Sequence, residues 1–189
     1  MGSAGGFVMA RGPQIVSREE VAEADRHVAD QVLAVFGRIR GPFSILLHSP
    51  DLAELLLPMV PFARKGNIVD AKSRFVGILA TVREKEAAYV WSAQVRVARE
   101  SGLDEDAIGV LRARGPLSDL RPDQREVADF ARQLVLNNKV EQAAFDTLQK
   151  KYGTKWLVEL TGIMSFYGAL CGVVNAFEVP VPDAGDDRF

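Results

Sequence analysis

From Leu160 to Phe177 the chain runs for eighteen residues without a charged side chain. A helix of that length is about 27 Å long, so the run either crosses a bilayer or must be enclosed by other elements. Thr161, Ser165, Tyr167 and Asn175 lie inside it, Glu159 and Glu178 close its two ends, and no excess of lysine or arginine flanks it. That pattern points to a buried central or interface helix and away from a membrane span. Gly168 and Gly172 form a GxxxG pair that admits a close helix neighbour, within the subunit or across a homo-oligomer.

The rest of the chain supplies helices to enclose it. Ser17-Arg18-Glu19-Glu20 has the pattern of a capping box, and Val21, Ala24, Val28, Val32 and Val35 continue at helical spacing to Gly37, before the break at Gly41-Pro42. Ser49-Pro50 opens a second helix through Leu52, Leu55 and Leu56. A helical pattern runs from Asp70 through Ile78 and Leu79, with a break near Arg83 to Glu86, and continues through Tyr89 to Glu100, where Gly102 ends it. Asp104 caps a short helix closed by Gly115-Pro116, and Val127, Phe130, Ala131, Leu134 and Val135 mark the next, ending at Asn137-Asn138. A further helix passes Phe145 and Leu148 to Gly153. No stretch between Ser17 and Phe177 alternates long enough to argue a strand. The expectation is an all-α helical bundle in one domain over residues 17–182, with a flexible leader at 1–16 and a polar tail at 183–189.

Composition narrows the functional classes. A net charge of −2 makes a nucleic acid an unlikely match for the surface, so no nucleic-acid partner is expected. One cysteine among 189 residues forms neither an internal disulfide nor a CxxC pair, and a reducing cytoplasm is the expected location. Two histidines 21 positions apart, without a carboxylate cluster, make no metal set, and no glycine-rich phosphate loop suggests a nucleotide; no metal and no cofactor are expected.

Three segments carry a resemblance: LLHSPDLA at 46–53, SRFVGILATVREKEAAYVWSAQVRVARESGLDEDAI at 73–108, and FYGALCGVVNAFEVPVP at 166–182. Together they resemble the carboxymuconolactone decarboxylase family of the alkylhydroperoxidase D-like superfamily, over about residues 41–182. The resemblance implies an all-α subunit that assembles as a trimer or hexamer, with active sites near subunit interfaces. In peroxide-reducing relatives a Glu, a Cys-x-x-Cys and a His would fall on Phe75, Ala87, Val90 and Gln94. None of these four side chains is a thiol, an imidazole or a carboxylate, so thiol peroxidase chemistry is excluded at those positions. Decarboxylase-like relatives read Tyr-Glu-Trp-x-x-His where this chain reads Tyr89-Val90-Trp91-Ser92-Ala93-Gln94: the aromatic frame stays, while the proton-exchanging Glu and His are gone.

If the helix continued unbroken, Arg83, Ala87, Val90 or Trp91, and Gln94 would share one face. They would form an apolar cavity with polar ends, in which Arg83 clamps a carboxylate or enolate. The alternative for Arg83 is a solvated place in the charge run 83–86. The candidate catalytic residues are His48, Arg83, Tyr89 and Gln94, with Glu84 and Glu86 as further proton carriers; Phe75, Ala87, Val90, Trp91 and Tyr167 are the candidate substrate contacts. Structural alternatives stand beside each: His48 fixing the start of a helix, Gln94 bonded to backbone, one of Tyr89 and Trp91 in the core, and Asn175 and Tyr167 in structural hydrogen bonds. Cys171 reads as a buried thiol and His27 as a surface residue. The implied function is a cofactor-free lyase or isomerase acting on a small lactone or oxo-acid, or else a non-catalytic binding or assembly protein of the same fold.

Overall fold

A computed structural model of the chain describes residues 10–181 and 188–189. Residues 1–9 of the expected leader and 183–187 of the expected tail lie outside the described residues. The described part is helical throughout, with no strand. Nine α-helices follow in order: α1 (Arg26–Phe36), α2 (Pro42–Leu46), α3 (Pro50–Leu56), α4 (Met59–Lys65), α5 (Ala71–Glu84), α6 (Ala88–Glu100), α7 (Glu105–Ala113), α8 (Pro122–Asn137) and α9 (Gln142–Ala176).

The helix enclosed on all sides is α5. Ten consecutive residues, Ser73 to Val82, are buried, because α6, α7, α8 and α9 all pack on it. Its start is fixed by Asp70, whose carboxylate accepts the Ser73 amide at 2.9 Å. Gly77 lets α9 approach closely: a Cβ there would stand 3.0 Å from both Leu160 Cδ1 and Met164 Sδ.

The charge-free run is the second half of α9, which Gly153 interrupts with φ 85°. By length and composition α9 is apolar enough to cross a membrane, yet half of its most apolar window is buried inside the bundle. It is therefore not the central helix; one of its faces packs on α2, α5, α6 and α8, and the other stays outside. On that outer face Val158, Ser165, Ala169, Gly172 and Ala176 are exposed.

The N-terminal region differs from its expectation. Ser17 makes no capping bond, and Arg18–Glu20 is only a single 3-10 turn. The Glu20 carboxylate accepts from Val16 at 3.1 Å, and α1 begins eight residues after that of the capping pattern, at Arg26. The physical reason lies in Val21, which is 4% exposed and adopts extended backbone to reach the core. The stretch 10–16, assigned to the leader, is docked: Ile15 is buried, its amide donates to Ser44 O at 2.9 Å, and the Arg11 amide donates to Phe177 O at 2.8 Å. Leu52 and Leu55, expected on an apolar stripe, are exposed on α3.

Candidate functional site

The break between α5 and α6 sets the geometry of the site. Glu86 takes a left-handed conformation at φ 53°, and the Ala87 amide donates back to Val82 O at 3.2 Å, which closes α5 with the six-to-one bond of a Schellman turn. The chain then starts α6 in a new direction. The single face of Arg83, Ala87, Val90 and Gln94 that an unbroken helix would present is therefore divided between two helices.

On α6, Val90, Ala93, Gln94 and Val97 keep the three- and four-residue spacing of one face, and that face lines a cavity of about 130 Å³. Phe166, Tyr167 and Leu170 of α9 form the opposite wall. Phe36 and Phe43 close a third side, and Tyr89 stands at the start of α6. The ring of Tyr89 rests on Gly41, where a Cβ would fall 2.4 Å from Tyr89 Cε1. Gly41 is at φ 61° and ψ −138°, a conformation that only glycine adopts freely, so the Gly41-Pro42 break also builds the seat for a cavity residue.

The cavity is apolar with a few polar groups. Tyr167 is 6% exposed, and burial pushes its phenol up from 10.0 to about 12, against the opposing pull of Arg64 and Arg74. Burial likewise raises the Tyr89 phenol, with Arg40 and Arg38 pulling it down. Both hydroxyls therefore keep their protons at neutral pH and are available as hydrogen-bond donors. Gln94 adds an amide that both donates and accepts. Arg40, Arg64 and Arg96 stand at the mouth, and no Asp or Glu lines the cavity.

Of the residues nominated from the sequence, Tyr89, Val90, Gln94 and Tyr167 come together here. The other five are elsewhere. His48 is exposed and its Nε2 lies 2.7 Å from Pro13 O, fastening the N-terminal segment. Arg83 donates through Nε to Arg112 O at 2.6 Å and lies 4.1 Å over the Phe189 ring; it is half-buried and outside the cavity lining. Phe75 and Ala87 are core residues. Trp91 is fully buried, on the side of α6 away from the cavity, with its edge against Phe189. Asn175 donates to Lys85 O at 2.7 Å and ties the end of α9 to the end of α5.

Glu84 and Glu86, the remaining proton carriers proposed from the sequence, are held in ion pairs. The Glu84 side chain is 7% exposed and bridges Arg114 Nε at 3.0 Å and Arg132 Nε at 3.1 Å. The Arg132 contact is close enough for the charges to attract but out of line for a hydrogen bond. Glu86 takes Arg114 Nη1 at 3.0 Å. These contacts lock the end of α5 to α7 and α8. Cys171 is fully buried and outside the cavity lining; burial raises its thiol from 9.0 to about 12.

Sequence reasoning passed over Arg40, Arg64, Phe36, Phe43 and Phe166. Phe166 had a signal, since it neighbours Tyr167 in the last helix. The two arginines had none, because the turn before α2 and the helix α4 bring them to α6 from distant parts of the chain.

No protein-family model matches the sequence, and no curated protein matches it. Solved structures do. An alanine-for-cysteine variant of the debrominase Bmp8 in complex with 2,3,4-tribromopyrrole superimposes with a TM-score of 0.74 at 14% identity, covering 94% of this chain and 96% of that one. The alkylhydroperoxidase AhpD core, an uncharacterized peroxidase-related protein from Ralstonia eutropha JMP134, superimposes with a TM-score of 0.65 at 19% identity, covering 97% and 100%. The chain thus has the AhpD-like helical fold.

Proposed function

We propose that this chain is a carboxymuconolactone decarboxylase-like protein whose cavity between α6 and α9 takes a small lactone or oxo-acid, and that it acts as a cofactor-free lyase or isomerase. The observation that carries the reading is the convergence of Tyr89, Gln94 and Tyr167 on one apolar, ring-sized cavity. A cavity of this order holds a benzene-sized ligand, and the Bmp8 variant is complexed with a single-ring pyrrole. In the proposed reaction the two phenols and the Gln94 amide hydrogen-bond an oxygen on which negative charge develops. Thiol peroxidase activity is not part of the reading, because Val90 and Gln94 line the cavity and Cys171 does not. Turnover of a panel of lactones and β-keto acids tests it: Tyr167→Phe and Gln94→Ala should each lower kcat/KM by about tenfold or more. Equal turnover in wild type and both variants would remove these residues from the mechanism.

A second reading is a binding protein without catalysis. It is favoured by the protonation of the site: both phenols are held above their ordinary range, and no other ionisable group of the cavity besides the arginines is present to take up a proton. Saturable binding of a panel member with no turnover would decide for this second reading.

The site is proposed to work in a cytoplasmic homo-oligomer, a trimer or hexamer. Supporting this, the outer face of α9 beyond Leu160 carries no charge and exposes mainly small residues (Ser165, Ala169, Gly172 and Ala176), and a Cβ at Gly162, Gly168 or Gly172 would meet nothing within 4 Å.

A further inference from the structure

Charge is distributed unevenly around the cavity. Three arginines and no carboxylate line it. Arg96 is partly compensated by Glu100 at 4.0 Å. Arg40 and Arg64 have no ion-pair partner among the described residues; Arg64 only donates to Val35 O at 3.3 Å and lies 5.0 Å over the Phe36 ring. Both are exposed, whereas Tyr89 and Tyr167 are buried, so the cavity has a cationic mouth and a hydroxyl-bearing interior. Two exposed guanidiniums at one opening, with no carboxylate paired to them among the described residues, favour an anion that presents two oxygens, which a guanidinium matches in its planar fork. The interior favours the opposite end of a ligand: an apolar ring carrying one oxygen.

We propose that the ligand is a small ring acid seated with its carboxylate at the Arg40–Arg64 mouth and its ring inside, so that a second oxygen meets Tyr89, Tyr167 and Gln94. This rests on the reading of the cavity as the ligand site, and it adds the direction in which the ligand enters. The carboxylate is then an anchor and not the group that is lost. Pairing with arginine stabilises a carboxylate more than the neutral carbon dioxide it would release, so the same contact raises the barrier to its departure. Any chemistry belongs at the buried oxygen and its ring carbons.

Titration calorimetry on the full chain with 4-hydroxybenzoate, its neutral analogue 4-hydroxybenzamide, and benzoate tests the inference. The acid should bind about tenfold tighter than the amide, and the Arg40→Gln/Arg64→Gln double variant should lose that margin while binding the amide unchanged. Both positions are exposed, so the variant is expected to fold; far-ultraviolet circular dichroism checks this, and wild-type titrations at high salt, which should weaken the acid alone, supply the same comparison without a substitution. Orientation is read from Tyr89→Phe/Gln94→Leu/Tyr167→Phe, in which 4-hydroxybenzoate and benzoate should become equal. Acid and amide binding alike in wild type would overturn the anion assignment and leave the cavity reading intact. A preference for 4-hydroxybenzoate over benzoate that survives loss of both phenols and the Gln94 amide would overturn the orientation. If none of the three probes binds, the inference and the cavity reading fall together.

Discussion

At the scale of single residues, the two most strongly shifted groups both lie on α9, one turn apart. Tyr167 and Cys171 are each pushed to about 12 chiefly by burial, from ordinary values of 10.0 and 9.0. Each holds its proton more tightly folded than unfolded. Their contribution to stability is therefore whole below about pH 9 and is lost as pH rises from there towards about 12. Chemical denaturation at a series of pH values should show stability falling through this window, with a shallower fall in Tyr167→Phe; identical slopes would contradict the burial argument. Val90 and Gln94 were legible as cavity-lining residues because they stand at positions defined by a motif that survives around them, and Tyr89 and Tyr167 because polar aromatics in apolar helices need a partner or an opening. Arg83 misled, since its place in a charge run says nothing about the Arg112 carbonyl that holds it. Arg40 and Arg64 were silent: each looks like any surface cation until the fold brings them to one mouth.

At the scale of elements, the helix boundaries marked by caps were the readable ones. Asp104 accepts from Ala107, as the cap read there required, and Asp70, read only as the start of a helical pattern, accepts from Ser73. The capping pattern at Ser17 failed because burying Val21 competes with continuing a helix, and Glu20 had another amide within reach. The short helices α2 and α4 escaped periodicity, being five and seven residues long, and they bring Pro42, Phe43, Val60 and Arg64 to the cavity. Two glycines test the elements directly. Gly41→Ala combines a forbidden φ with a clash on Tyr89, and should cost about 2 kcal/mol or more in urea denaturation while weakening 4-hydroxybenzoate binding; unchanged binding would show that Tyr89 does not depend on this seat. Gly77→Val should cost about 1–3 kcal/mol by forcing α5 and α9 apart, and a neutral result would mean that Leu160 and Met164 repack without strain.

At the scale of the molecule, the all-α bundle followed from the helical spacing and the charge-free run, and of the two places read for that run, central or at an interface, the central one belongs to another helix. The run Leu160–Phe177 demanded enclosure, yet α5 is the enclosed helix, because four neighbours share it while α9 keeps an outer face. Beyond Leu160 that outer face carries no charge, and an uncharged helix face left open to water marks a surface for association. Light scattering coupled to size exclusion should accordingly report a trimer or hexamer, and introducing a charge with Ala169→Glu should dissociate it. A wild-type chain that elutes as a monomer would remove the assembly proposal.

The claim on which the functional account depends is that the space between α6 and α9 is a ligand site and not a packing defect. A crystal structure of the chain soaked with 4-hydroxybenzoate measures this directly. The account predicts ring density between Val90 and Phe166, with the carboxylate towards Arg40 and Arg64 and the hydroxyl towards Tyr167. A cavity closed by Phe166 or Tyr167, or a ligand bound only elsewhere on the surface, would contradict it.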